Sequence, residues 1–163
     1  MAPKHRGELL IVGGGSCVLE DLEAYGKPAG DVMAINDVGM FLPKLAHWFS
    51  IHAEQFPAWS TVRKQHYKAE PIYHGKQGAE ATCVEWPIRG EYGPLGGHSA
   101  ILVGLALGYD TITLAGVPAD DSGHFYPTHK RRGQPTDKDL SGSNAAFHRI
   151  KLIAGERVRS LSG

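Results

Sequence analysis

Short unbroken apolar runs, each closed by glycine, proline or a polar residue, recur along the chain and set its predicted elements. ELLIVG (8–13), DVMAIN (31–36), HWFSIH (47–52) and DTITLAGVP (110–118) are such runs, and continuous apolar character marks strands buried on both faces. EPIYHG (70–75), TCVEWP (82–87) and RVRSL (157–161) are shorter strand candidates. Apolar residues at helical spacing fill the gaps. In CVLEDLEAYG (17–26) they are Val18, Leu19, Leu22 and Tyr25, with Gly26 and Pro28 as the stop signal. AEQFPAWSTVRKQHY (53–67) predicts a helix with Pro57 near its first turn, where a missing N–H is tolerated. GPLGGHSAILVGLALGYD (93–110) begins glycine-rich and is apolar nearly all round from Ser99 to Leu107, as a buried helix is. NAAFHRIKLIAG (144–155) predicts the last helix, and VGMFLPK (38–44) a short helical or irregular connection broken at Pro43. Residues 76–81 read as a loop, and 119–143 as a long polar segment rich in Asp, Gly, Pro and Lys.

Strands alternating with helices predict a single α/β domain over residues 1–163, with a mostly parallel sheet and helices on both faces. Ligands of such sheets sit beyond the carboxyl ends of the strands. There the chain places Gly13, Gly14, Gly15 and Ser16 after the first strand, and Asn36 and Asp37 after the second. His52, Glu54 and Gln55 follow the third strand, and Gly96, Gly97, His98 and Ser99 come before the buried helix. Gly116, Pro118, Asp120 and Asp121 follow the strand that starts at 110. These residues converge on one rim, and that convergence outweighs any single motif.

Each group has two readings. A strand–GGGS–helix junction suits a phosphate or ribose, because helix-start amides are orphan donors and glycine admits a close ligand. It equally suits a tight turn. Val18 stands where a third glycine of G-x-G-x-x-G would be, and the P-loop lysine is absent. Asn36-Asp37 could bond a ribose or base edge, or form an Asx turn. Ser99 could hold a phosphate or cap its helix. The run DDSGHFYPTH offers Asp120, Asp121, His124 and His129, but its spacing matches no zinc signature. A loop of this length in a compact domain suits a lid, with His124 or His129 as a general base.

Composition narrows the partners. Seventeen Lys and Arg balance seventeen Asp and Glu, so no basic field draws in nucleic acid or an anionic membrane. Two cysteines, Cys17 and Cys83, make neither a disulfide framework nor a cysteine zinc site. MAPKHRGE lacks the apolar stretch of a signal peptide, and no window reaches a membrane-spanning length, so the expected location is the cytoplasm.

IVGGGSCVLEDLE, DVMAINDVG and HWFSIH, followed by GGHSAILVGLALGYDTITLAGVP and GHFY, resemble the Rossmann-like domain of bacterial sialyltransferases of glycosyltransferase family 42. The related group of 6-hydroxymethylpterin pyrophosphokinase-like proteins and small phage-encoded proteins shares the arrangement. The similarity spans residues 8–126 and a closing VRSLSG segment. It implies that Gly13, Gly14, Gly15, Ser16 and Asn36 hold the CMP part of a donor. The family's Ser-Gly at the buried helix is similar to His98-Ser99, and its G-I-D to Gly116-Val117-Pro118. Two positions depart: His52 replaces an asparagine and Pro118 an aspartate, although Asp120 is near. The lid that carries tyrosines and a histidine base in the family is shortened to 119–143, where Tyr126, His124 and His129 are the candidates.

The resemblance implies a nucleotide-binding protein, a small glycosyltransferase using a CMP- or other nucleotide-activated sugar. No cofactor is required, and nucleotide sites comprise Asp37, His52, Gly97, His98, Ser99 and Gly116 besides those above. A pyrophosphokinase-like phosphotransferase is the alternative, with Mg²⁺ on Asp37, Asp120 or Asp121. A non-catalytic nucleotide-binding module is another, and a homo-oligomer stays open.

Overall fold

A computed structural model of the chain describes residues 7–79, 82–88, 96–117 and 137–162. Its elements run β1 (Glu8–Val12), α1 (Val18–Tyr25), β2 (Asp31–Ile35), β3 (His47–Ser50), α2 (Phe56–Lys64), β4 (Ile72–Lys76) and β5 (Val84–Trp86). There follow α3 (Gly96–Leu107), β6 (Thr111–Ala115), α4 (Asp137–Ala154) and β7 (Val158–Ser160). Among the described residues the strands form one sheet in the order β5-β4-β3-β2-β1-β6-β7, parallel at every pairing.

The unbroken apolar strands are explained by helices on both faces. Leu9 and Ile11 of β1, Met33 and Ile35 of β2 and Phe49 of β3 point to the face covered by α3 and Ile150 of α4. Leu10, Val12, Val32, Ala34 and Trp48 point the other way, where Val18 of α1 and Phe56 of α2 meet them. A Val, Leu, Ile, Phe or Met side chain among them contributes about 1.5–3 kcal/mol when fully buried. Helix α3 presses close because Gly104 has no side chain: a Cβ there would stand 2.8 Å from Leu9 Cδ2 and 2.9 Å from Ile112 Cδ1.

Strand β1 sits between β2 and β6, so the chain steps outward on one side of β1 and returns to the other. The carboxyl ends of β1 and β6 therefore form the switch point, where open α/β sheets gather ligands. The 36–40 stretch after β2 is a short 3-10 helix. Buried Arg63 of α2 holds this turn and the connection that follows it, donating to the carbonyls of Gly39 at 2.8 Å, Leu42 and Pro43.

Two boundaries differ from the sequence pattern. Helix α3 starts at Gly96, so Ser99 lies inside it and is not its cap. Glycine is there for proximity: a Cβ on Gly97 would stand 2.7 Å from Val117 Cγ1, and one on Gly96 3.1 Å from Ile35 Cγ2. Helix α4 starts at Asp137, so the segment from there to 143, expected as loop, is helical. The polar run through Ser141-Gly142-Ser143 hides helical periodicity.

Candidate functional site

Asn36 stands at the carboxyl end of β2 with φ of 54°, alone among the described non-glycine residues in the left-handed region. Asparagine tolerates that region better than most side chains, and such outliers gather at ligand sites. Neighbours fix the residue on two sides. Trp48 Nε1 donates to its main-chain oxygen, and Ser50 Oγ donates to its Oδ1 at 2.8 Å. The fully buried Ser50 hydroxyl also accepts the main-chain N–H of His52 at 2.9 Å. The side-chain amide lies against the start of α3: a Cβ on Gly96 would stand 3.5 Å from Asn36 Nδ2. An amide donor thus sits beside the N-terminus of α3, whose first-turn N–H groups have no partner within the helix.

The glycine junction is stitched to β6. Gly13 N–H donates to the Ala115 carbonyl at 2.9 Å and Gly15 N–H to the Gly116 carbonyl at 2.8 Å. Gly116 N–H in turn donates to buried Asp21 Oδ2 at 2.7 Å. A Cβ on Gly13 would stand 2.6 Å from the Gly116 oxygen, and one on Gly116 2.4 Å from the Gly13 oxygen, so this backbone contact demands glycine. The amides of Gly13, Gly15 and Gly116 therefore bond within the protein, and Ser16 is the exposed residue of the junction.

The other rim residues divide. His98 is buried in the first turn of α3, its ring edge-on to Phe147 of α4 at 6.2 Å, and Ser99 is buried beside it. His52 is partly exposed, its Nδ1 3.6 Å from Glu54 Oε1. Asp37 follows Asn36 in the 3-10 helix. Pro118, Asp120, Asp121, His124, Tyr126 and His129 lie outside the described residues. Among the described residues no group of three or more His, Cys, Asp or Glu could hold a metal ion, and no helix is long and apolar enough to cross a membrane.

Sequence reasoning passed over Ser50 and Asp21. Each had a signal: Ser50 is the polar member of an otherwise apolar strand end, and Asp21 falls on the Val18–Leu22–Tyr25 face of α1. It also missed a polar chain that starts at the amino ends of β2 and β3 and crosses the sheet diagonally to the carboxyl end of β5. Trp86 Nε1 can only donate, and it meets His74 Nδ1 at 3.0 Å. His74 Nε2 therefore donates to His47 Nδ1 at 2.9 Å, and His47 Nε2 to the Tyr109 hydroxyl at 2.9 Å. Tyr109 donates to Asp31 Oδ2. Burial, reinforced by His47, pushes the His74 pKa down to about 4. Burial and the Asp31 carboxylate raise that of Tyr109. A cleft of about 360 Å³ lies at the amino-terminal edge of the sheet, lined by Gly7, Glu8, Ala29, Gly30, Asp31 and Tyr109. Ligands of parallel sheets bind at the other edge, so Asn36 and the start of α3 form the candidate site.

No protein-family model matches the sequence, and no curated protein matches it. Solved structures do. The chain aligns over 95% of its length with 79% of the sialyltransferase CstII of Campylobacter jejuni in complex with cytidine-5'-monophosphate, at 14% identity and a TM-score of 0.61. It aligns over 95% of its length with 81% of CST-II in complex with a trisaccharide acceptor and CMP, at 13% identity and a TM-score of 0.63. The monofunctional alpha-2,3-sialyltransferase Cst-I of Campylobacter jejuni aligns over 76% of its own length, at 14% identity and a TM-score of 0.58. None of these three is a phosphotransferase. At such identities the likeness is one of fold, and the chain has the Rossmann-like α/β fold of these sialyltransferases.

Proposed function

We propose that the protein binds a cytidine nucleotide at the rim formed by Asn36 and the start of α3, and is a glycosyltransferase that uses a CMP-activated sugar. One observation carries the reading: the strained, doubly anchored Asn36 amide lies beside the N-terminus of a buried helix, in a fold whose solved neighbours hold CMP. Gly14 and Ser16 line the nucleotide on the β1 side, and Asp37 and His52 on the β2–β3 side. The first turn of α3, at Gly97, His98 and Ser99, faces the phosphate with the positive end of the helix dipole. Gly13, Gly15 and Gly116 shape this floor, held by their bonds to Ala115, Gly116 and Asp21.

In the reaction an acceptor hydroxyl attacks the anomeric carbon of the sugar. The bond from that carbon to the phosphate oxygen breaks, and CMP leaves with the electron pair. The acceptor's proton passes to a histidine of the 124–129 segment, His124 or His129, with Tyr126 on the phosphate. A preorganised donor set stabilises the charge that develops on the leaving phosphate.

Calorimetry with CMP, UMP, AMP and inorganic phosphate tests the binding, and release of CMP from a CMP-sugar tests the reaction, each with and without Mg²⁺. Selective CMP binding with turnover is expected. Absence of CMP binding overturns the reading, and CMP binding without turnover of any donor reduces it to a nucleotide-binding module.

A further inference from the structure

We infer that Ser50 is a positioning residue that fixes which end of the Asn36 amide faces the ligand, so that Asn36 presents Nδ2 as a hydrogen-bond donor to an unprotonated acceptor atom of the nucleotide. The inference rests on the nucleotide reading above. The Ser50 hydroxyl accepts the His52 N–H at 2.9 Å, leaving its single hydrogen to be given away. Asn36 Oδ1, 2.8 Å away, is the acceptor that takes it. An amide whose oxygen is engaged in this way turns its NH₂ outward. Full burial of Ser50 keeps water from competing for either bond. Nδ2 has no hydrogen-bond partner among the described residues, and glycine at position 96 leaves open the space beside it.

The left-handed backbone makes the same point. Holding a non-glycine residue there costs stability, and a glycine would satisfy the fold without that cost. The sequence instead places an amide there, with a buried hydroxyl to orient it. Fixing a donor before the ligand arrives removes the ordering cost from binding. The acceptor is a base carbonyl or ring nitrogen, or else a phosphate oxygen.

The test uses Asn36→Asp, Asn36→Gly and Ser50→Ala, with melting temperature and affinity for CMP, cytidine and inorganic phosphate measured on each. Asn36→Asp keeps the bond from Ser50 and turns the outward donor into an acceptor. Asn36→Gly keeps the left-handed backbone and removes the amide. Each Asn36 variant is expected to bind CMP at least about tenfold more weakly, and Ser50→Ala several-fold more weakly. Adding Ser50→Ala to Asn36→Gly is expected to lower the melting temperature further but leave CMP affinity where Asn36→Gly put it. A parallel loss for cytidine assigns the acceptor to the nucleoside, and a loss confined to CMP and phosphate assigns it to a phosphate oxygen. Equal CMP affinity in folded Asn36→Asp and wild type overturns the inference, as does a further loss of affinity on adding Ser50→Ala to Asn36→Gly. A wild-type protein that binds no CMP overturns the nucleotide reading itself and, with it, this one.

Discussion

His47 Nδ1 lies 2.9 Å from His74 Nε2, and both imidazoles are buried. Trp86 on one side and the Tyr109 hydroxyl on the other leave a single hydrogen pattern in which both rings are neutral. A second proton on His74 would set an N–H against the Trp86 N–H. One on His47 would set it against His74.

This pair makes stability depend on pH below neutrality. The His74 pKa is about 4 in the fold against an ordinary 6.5, so between those values the unfolded chain binds a proton that the folded chain refuses. Stability is therefore full above pH 6.5 and falls as pH drops toward 4, by on the order of 3 kcal/mol from this group. Urea unfolding of wild type and His74→Gln from pH 7 to 4.5 measures it. The mutant is expected to lose the steep part of the slope, and identical slopes would remove His74 as the cause.

Arg63 places its guanidinium among three main-chain carbonyls, of Gly39, Leu42 and Pro43, at a position 1% exposed. Arg63→Met leaves those carbonyls without their donor and is expected to cost about 2–4 kcal/mol in chemical denaturation. Arg63→Lys recovers only part of this, because a point charge replaces a planar fork.

Gly116 and Gly97 give a graded pair. Gly116→Ala meets backbone oxygen at 2.4 Å with φ of 64°, and neither can give, so a loss of at least about 2 kcal/mol is expected. Gly97→Ala meets the Cγ1 of Val117 at 2.7 Å, a side-chain end that can rotate away. Its melting temperature should stay much nearer wild type while CMP affinity falls, since the added methyl and the displaced Val117 crowd the turn proposed to face the phosphate.

If a histidine of the 124–129 segment takes the acceptor's proton, His124→Ala or His129→Ala should cut turnover at least about a hundredfold with CMP affinity unchanged. Steady-state release of CMP alongside calorimetry checks this, and full activity in both variants removes the base from that segment.

The architecture was legible because two-sided burial writes itself as unbroken apolar runs, as in ELLIVG and TITLA. Boundaries set by packing were not. The GG at 96–97 reads as a loop until Val117 and Ile35 are found pressed against it, and the Ser141-Gly142-Ser143 run conceals a helix. At the rim, Asn36 could be picked out by its place at a strand end, yet not its left-handed backbone, which depends on Trp48 and Ser50. The glycine junction could be read as a phosphate cradle or a turn. The geometry shows Gly13 and Gly15 bonded to β6, a pairing between distant segments that spacing within GGGS cannot reveal. The His47–His74 chain was invisible for the same reason, since its members come from different strands and one connecting turn.

The place of β1 in the sheet also governs the order in which the molecule can be made. Leu9 pairs with Asp31 on β2 soon after both emerge from a ribosome, but its other edge pairs with Ile112, made much later. Until α3 and β6 arrive, an apolar central strand stands as an open edge, able to recruit strands from other chains. Early synthesis thus yields only strands β1–β5, and the Gly13–Ala115 and Asp21–Gly116 bonds wait for β6. Those same bonds floor the proposed nucleotide site, so the pocket comes into being only when β6 has closed the open edge of β1.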